Sequence, residues 1–253
     1  MVKIYINISI LLIFLILPSC VISKWEVKSI KGVKIPVDKS LDLIQDSVFL
    51  NQLKPFKSKL DEMMNEVIGY AEVNMSAHKP ESLLSNLSSD IYRKKASEIT
   101  GEKIDLAISN MGGLRTQIPM GPITIGRIYQ LLPFENELVV LYIQGRDVKE
   151  LTGLFAKMGG QGVSGLKMGI LNGDAVDVLI NGQALDENKT YSVATNDFLA
   201  KGGDLMVQLT RFVKKIDTGI TVRQVFIDYI REENKKGNKI HPVLENRIYR
   251  INK

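Results

Sequence analysis

The apolar residues recur with a period that changes along the chain, and each period predicts an element. Residues 24–37 alternate apolar and charged side chains, as a half-exposed strand or hairpin does, with Trp25 as a candidate core anchor. Over 43–68 the apolar positions return at helical spacing through Leu53, Phe56, Leu60, Met63, Met64 and Val67, and Gly69 offers a stop. The methionines and leucines of this stretch read as core. A second helix is expected over 80–99: Pro80 opens its first turn, Glu81 suits the dipole, Leu83, Leu84, Leu87 and Ile91 share a face, and Gly101 closes it.

Shorter runs follow. Residues 104–108 form a buried strand that delivers the chain to Asn110, and Thr124 caps a short helix running to Leu132. Residues 137–144 alternate as a strand, and 146–158 read as an amphipathic helix stopped by Gly159 and Gly160. Runs at 176–180 and 183–185 flank Asn181-Gly182, a strong hairpin signal. A strand over 191–195 feeds Asn196, and a helix over 222–233 and a strand over 247–251 complete the series. Helices and strands interleaved irregularly with hairpins predict an α/β or α+β layered fold with mixed sheets. With no repeat, low-complexity tract or internal linker, residues 21–253 are expected to form a single domain.

The first twenty residues read differently. Lys3 supplies a positive start, residues 8–17 an apolar run too short for a comfortable span, and Leu17-Pro18-Ser19-Cys20 a processing site. Cys20 is the single cysteine of the chain, with leucine at −3 and serine at −1 as in a bacterial lipobox. The expectation is a lipoprotein signal peptide cleaved before Cys20, which then carries lipid and holds the protein on a membrane of the bacterial cell envelope. One cysteine leaves no intramolecular disulfide, so stability must come from a core.

Composition narrows the function classes. Apolar residues at 45% and charged ones at 24% are ordinary globular values. The net charge of +5 is spread out, without a basic stripe interleaved with aromatics, so a nucleic acid polymer is not an expected partner. The two histidines, His78 and His241, stand outside any cluster of Asp, Asn or His. A two-metal phosphohydrolase needs a dense ligand set for ions about 3.5–4 Å apart. A self-contained dimetal hydrolase is therefore not expected, no cofactor is assigned to this chain, and His241 reads as a surface or packing residue.

Three segments carry candidate chemistry. Asn110-Met111-Gly112-Gly113-Leu114-Arg115 follows a strand, where adjacent glycines let backbone N–H groups converge on an anion and Arg115 offers a planar fork. Pro133-Phe134-Glu135-Asn136 and Asn196-Asp197-Phe198-Leu199-Ala200-Lys201-Gly202-Gly203-Asp204 each place a phenylalanine in a polar loop. Singly, each phenylalanine is more often a core filler; together they can sandwich a base, worth about 1–3 kcal/mol per stacked face. Asp204 closes a glycine turn, either as a turn former or as an acceptor for two hydroxyls.

In this order the motifs Asn-x-Gly-Gly-Leu-Arg, Pro-Phe-x-Asn and Asn-x-Phe-x-x-x-Gly-Gly-Asp resemble the C-terminal domain of the 5'-nucleotidase/UDP-sugar hydrolase family, over about residues 43–207 or beyond. The resemblance implies that domain's fold and a site for a nucleoside 5'-phosphate. Arg115, with Gly112 and Gly113, would meet the phosphate, and Asn110 the base or ribose. Phe134 and Phe198 would stack the base, Asn136 would contact it, and Asp204, after Gly203, would bind the ribose hydroxyls. In His78-Lys79-Pro80-Glu81-Ser82-Leu83-Leu84-Ser85-Asn86-Leu87, His78 stands where the family has a phosphate-binding arginine, while Glu81 and Asn86 read as helix braces. The family's dimetal domain would then be a separately encoded metallophosphoesterase carrying the divalent metals and acting in trans. The alternatives are a lipid-anchored nucleotide or nucleoside binder without such a partner, and a fold kept without its ligand.

Overall fold

A computed structural model describes residues 26–39 and 46–251. Trp25, Cys20 and the signal peptide expected over residues 1–20 lie outside the described residues. The chain divides into two units, Met1–Asn51 and Gln52–Lys253. In the first, residues 26–39 contain no strand, and Val27, Ile30, Val33, Ile35 and Val37 are each at least 78% exposed. The strand expected over 24–37 is therefore not formed in its described part. Alternation makes a strand only where a sheet edge pairs it, and this segment has no ladder partner among the described residues.

Helix α1 (Ser47–Met64) forms where its spacing predicts, but none of its residues is buried. Phe56 is 76% exposed and Leu53, Leu60 and Met63 are also open, so the expected core stripe is corrected to a surface one. Helical period predicts the helix, not what covers its face. Only Met64 packs against the core. Gly69, expected as a stop, lies inside β1 (Val67–Ala71). A Cβ there would fall 2.6 Å from Ile230 Cγ2, so glycine lets a later helix close on the strand.

A mixed five-stranded sheet organises the second unit, in the order β10 (Lys214–Thr221), β4 (Glu137–Gln144), β9 (Thr190–Asn196), β2 (Leu106–Ser109) and β5 (Gly162–Ser164). Only β2 and β9 run parallel. Both faces of β4 are buried: Leu138 and Val140 join one core, and Val139, Leu141 and Ile143 the other. The first core takes in α2 (Leu83–Thr100), α3 (Ile125–Leu131), α6 (Val222–Lys235) and the β1–β3 pair, with β3 at Gly121–Thr124. Tyr92 and Phe226 meet edge to face there, their centroids 6.5 Å apart. The second core packs α4 (Gly145–Met158), through Phe155, against β6 (Leu166–Leu171) of a sheet completed by β7 (Asp174–Ile180), β8 (Gln183–Ala184) and β11 (Ile248–Arg250). Asn181 and Gly182 turn β7 into β8 with φ of 52° and 79°, as an Asn-Gly hairpin requires. The expected α/β fold with mixed sheets and hairpins is the fold observed.

Helix α2 starts three residues later than its sequence suggests. Ser82 is its N-cap, in a reciprocal capping box with Ser85, and Gly101 closes it in the left-handed region. Glu81 is thereby left before the helix, and its carboxylate clamps the C-terminal segment instead. Oε1 accepts from Asn86 Nδ2 at 2.6 Å and from the Glu245 N–H at 3.0 Å, and Oε2 from the Arg247 N–H at 3.1 Å. Asn86 also donates to the Val243 carbonyl at 2.8 Å, and the Arg247 guanidinium grips Asp90 through two bonds of 2.8 Å.

Candidate functional site

The sheet register brings the three motif segments together. Strands β2 and β9 are parallel, so Ser109 and Asn196 end at the same edge, and antiparallel β4 begins there, with Leu138 opposite Asn196. The chain leaving β2 enters the turn Met111–Gly113, the chain leaving β9 enters α5 (Asp197–Ala200), and residues 133–136 lead into β4. Carboxyl ends of parallel strands are where α/β sheets place ligands.

A cavity of about 560 Å³ opens at this edge. Asn110, Gly112, Gly113 and Arg115 line it from the first segment, Phe134, Glu135 and Asn136 from the second, and Phe198 and Asp204 from the third. Phe134 is 52% exposed and Phe198 41%, so neither ring fills the core. Gly203 does not line the cavity but shapes it. A Cβ at Gly203 would lie 2.5 Å from Phe198 Cε1 and Cζ, so glycine is what lets the turn rest on the ring. Asp204 follows with φ 52° and ψ 34°, in the left-handed region that Asp and Asn tolerate best.

The polar groups of the cavity are oriented yet retain unused capacity. Asn110 Nδ2 donates to Asp204 Oδ2 at 2.9 Å, while Gly113 leaves room for the Asn110 oxygen. Arg115 is anchored through its backbone N–H to the Leu131 carbonyl at 2.9 Å, and its Nη1 reaches the Gly112 carbonyl at 3.2 Å. Its exposed guanidinium pairs with no carboxylate among the described residues. Asn136 Nδ2 donates to Asp197 Oδ1 at 3.0 Å. Burial pushes the Asp197 carboxyl up, but the Lys201 ammonium at 2.6 Å, the Asn136 amide and the Glu137 N–H outweigh it and hold the group below the usual carboxylate range. Glu135 pairs with the buried guanidinium of Arg223, which lies 4.1 Å from the centroid of Tyr129.

Of the residues expected at the site, His78 is not brought to it. His78 is exposed and stands outside the cavity lining, and its neighbour Lys79 donates to the Met158 carbonyl at 2.6 Å, at the end of α4. No role in the site is expected from sequence for Asp197, which orients Asn136, or for Glu135, which lines the cavity. Asp197 carried one local signal, its place directly after an Asn that caps a helix.

A larger cavity of about 630 Å³ is lined in part by Glu72, Asp90, Glu233, Glu245, His241 and Arg247. Most of its charged side chains are already paired: Arg247 with Asp90 and Glu245, His241 with Glu72, and Glu233 with Lys94 and Lys236, which stand outside the lining. It has no pair of open aromatic faces. His241 is half exposed, the surface residue expected of it. The smaller cavity is therefore the candidate site.

The sequence matches the family described as 5'-nucleotidase, C-terminal domain, over residues 67–211, more than half of its length, and the chain belongs to that family. The matched stretch runs from β1 past Asp204 and holds every residue that lines the cavity. The chain is 29% identical over 245 residues to the trifunctional nucleotide phosphoesterase protein YfkN of Bacillus subtilis (strain 168), covering 86% of this chain and 16% of that protein. To the 5'-nucleotidase of Vibrio vulnificus (strain CMCP6) it is 26% identical over 199 residues, 76% of this chain and 36% of that protein. The crystal structure of the 5'-nucleotidase precursor from Thermus thermophilus shares the fold with a TM-score of 0.69 at 29% identity, over 81% of this chain and 44% of that one. The chain thus spans less than half the length of these relatives.

Proposed function

We propose that this chain is the nucleotide-recognition domain of a split 5'-nucleotidase. It holds a nucleoside 5'-phosphate for hydrolysis by a dimetal phosphoesterase domain on a separate chain, and lipid on Cys20 keeps it at the bacterial cell envelope. The observation that carries the reading is the convergence of Phe134, Phe198, Arg115 and Asp204 on one cavity of about 560 Å³. The base enters between the two rings. Asp204, steadied by Asn110, accepts from the ribose hydroxyls, and Arg115 with the Gly112 N–H receives the phosphate, the Gly113 N–H being held by the Asn110 carbonyl at 3.1 Å. Binding energy from base and ribose then serves to place the phosphorus in the partner's metal centre.

The division of labour is supported by the relatives, which are nucleotidases and phosphoesterases of greater length. Among the described residues no group of three or more His, Cys, Asp or Glu side chains is placed to hold a metal ion. The divalent ions belong to the partner in this reading.

The test is calorimetric titration of the full chain with adenosine 5'-monophosphate in the absence of metal, followed by phosphate release on mixing with a separately expressed dimetal phosphoesterase domain. Binding that disappears in Phe134→Ala and Asp204→Ala, with release only in the mixture, is the expected result. Hydrolysis by phosphatase-free chain alone with added metal would contradict the split. Binding without release in any mixture would make the chain a lipid-anchored binder.

A further inference from the structure

The amides that line the cavity are not free to turn, and this bears on which base it accepts. Asn136 points Nδ2 at Asp197, 3.0 Å away. An ionised carboxylate only accepts hydrogen bonds, and Asp197 is held between Lys201 at 2.6 Å and the Glu137 N–H at 3.2 Å. The orientation of the amide follows from that network. Asn136 Oδ1 is the end left over: among the described residues no donor bonds to it, and it is not sealed from solvent.

Glu135 stands beside it on the same segment, 72% exposed, with one carboxylate oxygen on Arg223 and the other without a hydrogen bond among the described residues. Asn110 is locked in the same sense, its Nδ2 on Asp204. The guanidinium that lines the cavity, Arg115, comes from a different segment and is the group assigned to phosphate. The wall at Glu135 and Asn136 thus presents two side-chain acceptors without a partner among the described residues, Asn136 Oδ1 and the second Glu135 carboxylate oxygen.

We infer that the site selects guanine, whose N1–H and 2-amino group donate to Glu135 and to Asn136 Oδ1, with Asp197 as the positioning residue that fixes Asn136 as an acceptor. The inference rests on the nucleotide reading of the cavity given above. Of the four common bases only guanine carries two adjacent donors on its pairing edge. Adenine and cytosine set a ring acceptor beside their amino group, and uracil flanks its one N–H with two carbonyls. Each of these turns at least one acceptor toward an acceptor, which discriminates by leaving groups unpaired as well as by losing a bond.

The test is calorimetry of the full chain with the 5'-monophosphates of guanosine, inosine, adenosine and uridine. Guanosine monophosphate is expected to bind about tenfold or more tighter than the adenosine and uridine nucleotides, in the range that a well-placed pair of hydrogen bonds to a base provides. Inosine monophosphate, which keeps N1–H and lacks the 2-amino group, falls between. Asp197→Asn frees the Asn136 amide to turn and should shrink the guanosine-to-adenosine ratio to about threefold or less. Glu135→Gln, whose amide oxygen can still accept from Arg223, should weaken the guanosine nucleotide more than the uridine one. Comparable binding of all four nucleotides, or a ratio unmoved by both substitutions, overturns the inference while the nucleotide reading stands. Failure of all four to bind overturns both.

Discussion

Two polar clusters of this domain draw on the same residue types and end in opposite states. At the clamp, Glu81 is almost buried and its carboxylate accepts from Asn86 and from the N–H groups of Glu245 and Arg247. At the cavity, Asp204 is exposed and accepts one protein hydrogen bond, from Asn110. The clamp's guanidinium, Arg247, grips Asp90, Glu245 and the Val163 carbonyl, whereas Arg115 at the cavity has one carbonyl contact and no ion pair among the described residues. Spent hydrogen-bonding capacity marks structure, and unspent capacity beside exposed aromatic rings marks a site. Residue type alone does not separate the two.

The contrast breaks most visibly at Glu81. Replacing it by Ala takes the acceptor from one Asn86 N–H, whose amide keeps its bond to the Val243 carbonyl, and from two backbone N–H groups, each costing about 1–3 kcal/mol when left unpaired. Urea denaturation should show a loss of at least about 3 kcal/mol, with nucleotide affinity of the folded protein nearly unchanged. Phe198→Ala should do the reverse. An open stacking ring costs about 1–3 kcal/mol of nucleotide affinity, and stability should fall by much less than the roughly 3–5 kcal/mol of a buried phenylalanine. A full core-sized loss without an affinity change would make Phe198 structural.

Gly203→Ala sharpens the comparison at lower amplitude. The new methyl meets the Phe198 ring, so the ring must turn or the backbone must shift, at a stability cost of about 1 kcal/mol. Affinity should drop with it, because the ring is part of the cavity; an alanine variant with unchanged affinity would separate the two. A further effect, remote from the cavity, is in acid. The Lys236 ammonium and the Asn238 amide bring the Glu233 carboxyl from 4.5 down to about 2 in the folded protein. A carboxyl depressed on folding contributes stability in full above its unfolded value and loses it as pH falls through the folded one. Denaturation midpoints followed from pH 4.5 toward 2 should therefore decline, and Glu233→Gln should flatten that limb while leaving nucleotide binding at neutral pH in place.

Much of this was legible in the sequence, for reasons that also mark where it stopped. Helices α2, α4 and α6 and strands β4 and β9 carry long runs with one clear period, and the cavity's glycines, Arg115, Phe134, Phe198 and Asp204 fall in short contiguous motifs. Strand β10 reads Lys-Lys-Ile-Asp-Thr-Gly-Ile-Thr and, among the described residues, pairs with β4 alone, so an edge position leaves its pattern diluted. Residues 26–39 and α1 show the opposite failure, clean periods without a covering surface. Asp197 and Arg223 stayed hidden because their partners, Asn136 and Glu135, lie 61 and 88 positions away. Local propensity carries no record of such pairings.

A crystal structure of the full chain grown with a nucleoside 5'-monophosphate tests the central claim most directly. The account predicts the base between Phe134 and Phe198, the ribose hydroxyls on Asp204 and the phosphate on Arg115. A nucleotide found instead in the cavity beside His241 and Arg247, or bound nowhere at millimolar ligand, would contradict it.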